Sequence, residues 1–192
     1  MLSVIWAILL MYDSPVILAD ETGRTLSCEV EDAFEVNGTE YLLLEPVDAA
    51  VQILAWRDID EDEQELTDID EAELDLIFPI AKAVLSEQNL ILKRTAFTLT
   101  VEGELPEIEE DQIIELDDAE GEIGEELQEI AQFYYQEQAY SIFAPLDPIY
   151  LYAKRASNGK IEPVFDVEEL EELQPHIQQR LLELEDEEED AE

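Results

Sequence analysis

Short apolar runs broken by turn residues, rather than long helical stripes, dominate the first third of the chain. Residues 15–20 (PVILAD) have the length and branched side chains of a β-strand, and Asp20-Glu21-Thr22-Gly23 closes it with a turn whose glycine supplies positive φ. Thr25–Val36 alternates loosely and runs into Asn37-Gly38, the strongest short hairpin signal in the chain. The return strand, residues 40–45, carries Tyr41-Leu42-Leu43-Leu44 and is apolar enough to be buried on both faces; Pro46 ends it. Residues 51–56 (VQILAW) predict a fourth strand. An acidic connection over residues 58–65 then leads to Asp70. There, Asp70 with Glu73 three residues later predicts a helix start, the Asp capping and the Glu reaching back. Pro79 predicts either two short helices, the second opening at the proline, or one helix kinked there.

The chain then writes this arrangement a second time. Tyr41, Pro46, Val47 and Asp48 return as Tyr140, Pro145, Leu146 and Asp147 at an offset of 99. Ile69-Asp70, Leu74, Pro79 and Leu85 return as Phe165-Asp166, Leu170, Pro175 and Leu181 at an offset of 96, so the second copy has a shorter connection between the two blocks. Residues 113–116 align with 15–18, and 128–135 resemble the second strand, but Asn37-Gly38 has become Gln136-Glu137-Gln138. Residues 149–153 are the fourth strand, followed by Lys154-Arg155 and the turn Ser157-Asn158-Gly159-Lys160. Asp166 opens the second helix. Between the copies, residues 90–92 and 95–101 predict an ordered hairpin. It serves either as an extra sheet edge or, through Lys93 and Arg94, as a basic contact for an acidic loop. Asp48 and Asp147 are expected to satisfy backbone N–H groups in their turns.

The fold class this implies is α+β: two tandem copies of a mainly antiparallel ββββ-α unit, packed together and joined by a β-hairpin linker. Neither copy is expected to bury enough apolar surface alone, so face-to-face packing into one body is expected. The boundaries read as a lead-in at 1–13, repeat 1 at 14–85, the linker hairpin and an acidic loop at 86–112, repeat 2 at 113–182, and a disordered acidic tail at 183–192. Residues 1–11 are apolar but shorter than the ~20 residues that span a bilayer. They read as a membrane- or partner-facing segment, as an extra strand, or as an upstream start added to a chain that begins at Met11. The last is expected.

Charge changes the picture most. The chain has 9 Lys+Arg against 52 Asp+Glu, a formal net charge of −43. That field repels nucleic acid and anionic membranes and leaves basic proteins and cations as partners. The single cysteine, Cys28, allows no internal disulfide, which fits a reducing compartment, and is expected to be buried and inert.

Catalytic templates fail on inventory. The single His176 has no Ser or Cys nucleophile beside it in sequence and reads as a surface helix residue. No glycine-rich phosphate loop is present. Asp58, Asp60 and Asp62 alternate as in a calcium loop, but Glu63 stands where the glycine belongs and Ile69 where the bidentate Glu belongs. Weak, unspecific divalent binding is all that stretch predicts. No catalytic, cofactor-binding or metal residue is therefore assigned, and no enzyme is expected. Trp56, Phe133, Tyr134, Tyr135 and Tyr152 are the candidate partner face.

Leu18-Ala-Asp-Glu-Thr-Gly23, Phe34-Glu-Val-Asn-Gly38-Thr-Glu-Tyr41 and Leu44-Glu-Pro46-Val-Asp48 resemble the small acidic YrzB-like bacterial domains. With Phe78-Pro79, Leu92-Lys-Arg-Thr95 and Leu99-Thr-Val-Glu-Gly-Glu-Leu-Pro106, the chain from 14 to 182 resembles a two-part family of cyanobacteria and plastids. That resemblance implies a setting, cytosol or stroma, with a peripheral place at the thylakoid as an option, and a link to photosynthetic machinery. It carries no site residues across. The leading expectation is a non-enzymatic acidic adaptor or assembly factor docking a basic protein surface, with no direct nucleic-acid binding, no stable membrane insertion and no cofactor. A nucleic-acid mimic that blocks a DNA- or RNA-binding protein is the second, and an enzyme with an unfamiliar site the third.

Overall fold

The computed structural model describes residues 14–60, 63–108, 112–117 and 123–189. The apolar start at 1–13 lies outside them. The elements are β1 (Val16–Ala19), β2 (Thr25–Val36), β3 (Thr39–Pro46), β4 (Ala49–Asp60), β5 (Glu63–Asp68), α1 (Glu71–Ser86), β6 (Ile91–Arg94), β7 (Leu99–Glu102), β8 (Ile113–Asp117), β9 (Ile123–Tyr135), β10 (Gln138–Pro145), β11 (Leu151–Arg155), β12 (Ile161–Pro163) and α2 (Val167–Glu189). The class is α+β, strand-rich, with each sheet followed by a helix.

Each copy contributes five strands and a helix, one strand more than the pattern predicted. The reason lies in the acidic stretch: β4 runs on to Asp60, and β5 returns along it from Glu63, placing Leu66 opposite Trp56. In the second copy the corresponding β11 and β12 are shorter, which accounts for the fall in offset.

The copies do not build one sheet each. One sheet has the order β1-β2-β3-β11-β12, and the other β6-β7-β4-β10-β9-β8 with β5 also on β4. The first three strands of either copy therefore pair with the last two strands of the other. β3 meets β11 with Tyr41 opposite Lys154, and β10 meets β4 with Tyr140 opposite Ala55, which are the same rung displaced by 99 residues. Turn chemistry explains the exchange. Asn37-Gly38 supplies the two left-handed residues (φ 54° and 82°) that fold β2 back on β3. Pro46-Val47-Asp48 offers no such pair, so the chain bends at 47–48 without folding back and enters the other sheet as β4. Residues 145–150, with two prolines and no glycine, do the same in the second copy.

Two compact units result, one holding β2, β3, β11, β12 and α2, the other β4 to β10 and α1. The repetition extends to irregularities. β2 bulges past Glu31 against β3, and β9 bulges past Ile130 against β10, again 99 residues apart. Gln136 and Glu137 keep the left-handed geometry of Asn37-Gly38, at φ 48° and 69°.

Each helix packs on its own sheet. On α1, Ile77, Ala81 and Leu85 recur every fourth residue and are fully buried over Ile53, Ala55, Phe133, Tyr140 and Ile142. On α2, Leu173 and Ile177 pack with Tyr41 and Val164. Burial of each such Leu or Ile side chain contributes about 1.5–3 kcal/mol. Each helix runs unbroken through its proline, Pro79 or Pro175, rather than splitting in two. α2 also continues to Glu189, past the point where the acidic tail was expected to lose order, because Glu and Leu are strong helix formers.

The linker hairpin pairs β6 with β7, and β7 adds to β4 as an extra sheet edge. Residues 95–98 turn rather than extend, with Phe97 at φ 70°. Lys93 ties the hairpin back: its Nζ donates to Asp48 at 2.9 Å and meets Glu102 at 2.6 Å. The Asp48 carboxylate is thus held by a cation and not by the turn backbone. At Gly103 (φ 130°) a Cβ would stand 2.9 Å from Leu90 Cδ2, so only glycine closes this edge without displacement.

Candidate partner-binding face

The second sheet turns one face to α1 and leaves a row of side chains on the other. Ala139 on β10 is opposite Tyr134 on β9 and Trp56 on β4, and Trp56 is opposite Leu66 on β5. Side chains on one rung point the same way, so Tyr134, Ala139, Trp56 and Leu66 form a continuous line. Tyr134 is 66% exposed, while Trp56 and Leu66 are half-buried against Leu54, Leu127 and Phe143. The indole N–H of Trp56 donates to Ser141 Oγ at 2.8 Å, so its polar atom is satisfied and its ring is left as apolar surface.

The other residues expected on a partner face lie elsewhere. Phe133 is 5% exposed and stacks on Tyr140, with ring centroids 5.4 Å apart, inside the α1 core. Tyr135 packs half-buried against that core. Tyr152 belongs to the other unit, packed against the Tyr41 cluster, where burial pushes its hydroxyl pKa up. Alternation along β9 separates Tyr134 from Phe133 and Tyr135, a consequence of strand period two. Leu66 escaped the sequence pattern because β5 was hidden in an acidic stretch, and Ala139 on β10 because a lone methyl gives no aromatic or large apolar signal. Leu66 spaced two from Gln64 and Asp68 was the faint alternating signal.

Two equivalent polar latches hold the helices. In one unit Tyr41 donates to Glu169 Oε1 at 2.8 Å, and Lys154 Nζ reaches Glu169 Oε2 at 2.7 Å. In the other, Tyr140 donates to Glu73 Oε1 at 2.7 Å while Arg57 bonds Glu73 Oε2 at 2.7 Å. These carboxylates were expected to reach back to the caps; each instead serves a tyrosine and a cation. The caps keep one bond each, from Glu73 N to Asp70 and from Glu169 N to Asp166. Burial first, and then the bonded Glu, push Tyr41 and Tyr140 up to about 12. The hydrogen bonds from Lys154 hold Glu169 below the usual carboxylate range, against some desolvation.

The cations are consumed in this way throughout. Arg24, Arg57, Lys93, Arg94, Lys154, Arg155 and Lys160, seven of the nine, each lie within ion-pair distance of a carboxylate. A shallow cleft of about 220 Å³ is lined by Arg24, Glu71, Leu74, Arg94, Phe97 and Leu99, but both of its arginines are already bridged by Glu71. Carboxylates also face each other directly, as Glu29 opposite Glu45 and Glu115 opposite Glu126. Asp20 is a local exception: burial pushes its carboxyl up, but Thr22, Arg24 and their backbone N–H groups together bring it down to about 2. Cys28 is fully buried, and desolvation pushes its thiol up to about 11. His176 is exposed on α2. Among the described residues no three His, Cys, Asp or Glu side chains converge as metal ligands, and no helix is long and apolar enough to cross a membrane.

Residues 89–184, half of the chain, match the family described as Protein of unknown function (DUF3727). The chain belongs to that family. Residues 21–86 match a second family, Protein of unknown function (DUF1292), so this DUF3727 protein is a two-part chain. The two matches follow the sequence copies, not the spatial units. No curated protein and no solved structure matches it.

Proposed function

We propose that this protein is a non-enzymatic acidic interaction module, an adaptor or assembly factor that docks a basic protein surface. On the likeness of residues 14–182 to a two-part family of cyanobacteria and plastids, we further place it in cytosol or stroma, serving the photosynthetic machinery. The observation that carries the reading is the distribution of charge. Seven of nine cations lie within ion-pair distance of the chain's own carboxylates, so the formal charge of −43 is carried outward by carboxylates with few cations standing apart to offset it. Such a field speeds encounter with positive surfaces and rejects negative ones. A nucleic-acid mimic calls for long rows of ordered carboxylates; the sheets support pairs, such as Glu115 with Glu126.

Affinity purification with the whole chain as bait, eluted over increasing salt, tests the reading. It predicts a basic protein retained at low salt and released as salt rises, through screening over a Debye length of about 8 Å at physiological strength. Recovery of no basic protein at low salt would overturn it.

A further inference from the structure

We propose that the Tyr134–Ala139–Trp56–Leu66 row is where a basic partner docks, through a segment that interleaves Arg or Lys with apolar side chains. This rests on the acidic-module reading above and adds a location and a recognition chemistry to it. The row crosses four strands, β9, β10, β4 and β5, so it is roughly 14 Å long at ~4.8 Å per strand. That suits a short peptide lying across the sheet. Its two aromatics flank Ala139, a small residue that leaves their rings standing above the strand between them. Tyr134 is the more exposed of the two, at 66%.

Charge complementarity chooses the occupant. On one neighbouring rung, Asp58 lies opposite Gln64; on the other, Asp68 lies opposite Leu54, and exposed Glu137 stands at the turn that ends β9. No Lys or Arg occupies either rung. Arg57, the neighbour of Trp56, points to the α1 face, where Thr67 and Glu73 hold it. An apolar line bounded by carboxylates matches a segment whose cations sit over ring faces and carboxylates while its apolar residues cover Leu66 and the indole. An acidic or uncharged hydrophobic partner would leave those carboxylates facing like charge or nothing.

The test uses the full chain and two short peptides of equal charge, one alternating Arg with Leu and one alternating Arg with Ser. The Arg-Leu peptide is expected to shift the Trp56 indole N–H resonance and to stay bound at salt that releases the Arg-Ser peptide. Tyr134→Ser is expected to weaken the Arg-Leu peptide about tenfold, as for an interface aromatic anchor, while Tyr134→Phe keeps its affinity. Circular dichroism confirms that both variants fold. If both peptides bind with the same salt dependence and ignore Tyr134→Ser, the row is not the site, although docking by charge survives. If neither peptide binds at low salt, the row and the acidic-module reading both fall.

Discussion

Tyr41 donates its hydroxyl hydrogen to Glu169 at 2.8 Å across 128 residues of chain, and Tyr140 makes the equivalent bond to Glu73 at 2.7 Å. In each pair the tyrosine comes from the third strand of one copy and the glutamate from the helix of the other. The bonds are therefore the side-chain counterpart of the strand exchange. Removing a hydroxyl from such a part-buried bond to a carboxylate costs about 1–2 kcal/mol. Tyr41→Phe and Tyr140→Phe should each lower the unfolding free energy by that amount, with the ring stacking on Phe34 or Phe133 kept. Urea melts of the two variants and the double variant check this, and additivity is expected if the two latches act separately.

The same tyrosines set an alkaline limit. Their pKa values in the folded chain, about 12, lie above the ordinary 10 of an unfolded tyrosine. As pH passes 10 the unfolded chain releases phenolic protons that the folded chain keeps, so stability is full below pH 10 and falls from there through pH 12. Tyrosinate absorbance followed with far-UV dichroism should show these two hydroxyls ionising only as the fold opens. Ionisation of all seven tyrosines near pH 10 in a folded chain would refute the latches.

The second hairpin carries strain that the first avoids. Gln136 and Glu137 hold left-handed backbone at φ 48° and 69°, where Asn37 and Gly38 sit at 54° and 82°. Left-handed geometry costs a side-chain-bearing residue about 1–2 kcal/mol, least for Asn and Gly. Replacing Gln136-Glu137 by Asn-Gly should stabilise the protein by about 1–2 kcal/mol, and replacing Asn37-Gly38 by Gln-Glu should destabilise it by as much. Chemical denaturation measures both.

Opposed carboxylates give a third stability test. Glu115 and Glu126 are both exposed and directly across from each other on β8 and β9. Glu115→Lys converts repulsion into attraction and should add about 0.5 kcal/mol, an effect that fades with salt. The unaltered chain should itself grow more stable as salt is added, because screening relieves its self-repulsion. Thermal melts across a salt series check both.

Much of this was legible in the residues. Asn37-Gly38, the twin Tyr and Pro positions and the paired Asp caps located the strands and helices of both copies, since each depends on local backbone chemistry. Partner choice between strands was not legible. β4 and β11 are duplicates with similar alternation, so either would fit beside β3 by pattern; what separates them is the missing turn pair at Pro46-Val47-Asp48. β5 was hidden because residues 58–65 read as an acidic connection, with Leu66 the strand's only large apolar side chain. Of the candidate face, Trp56 and Tyr134 share the open row. Phe133 does not, because aromatic content alone does not say which side of a strand a residue takes.

Cleavage of the intact protein between α1 and β6, at a protease site built into residues 87–89, tests the strand exchange most directly. Because β3 pairs with β11 and β10 with β4, the two fragments should stay together as a one-to-one complex through gel filtration and separate only on denaturation. Two independently folded fragments that elute apart without denaturant would contradict it.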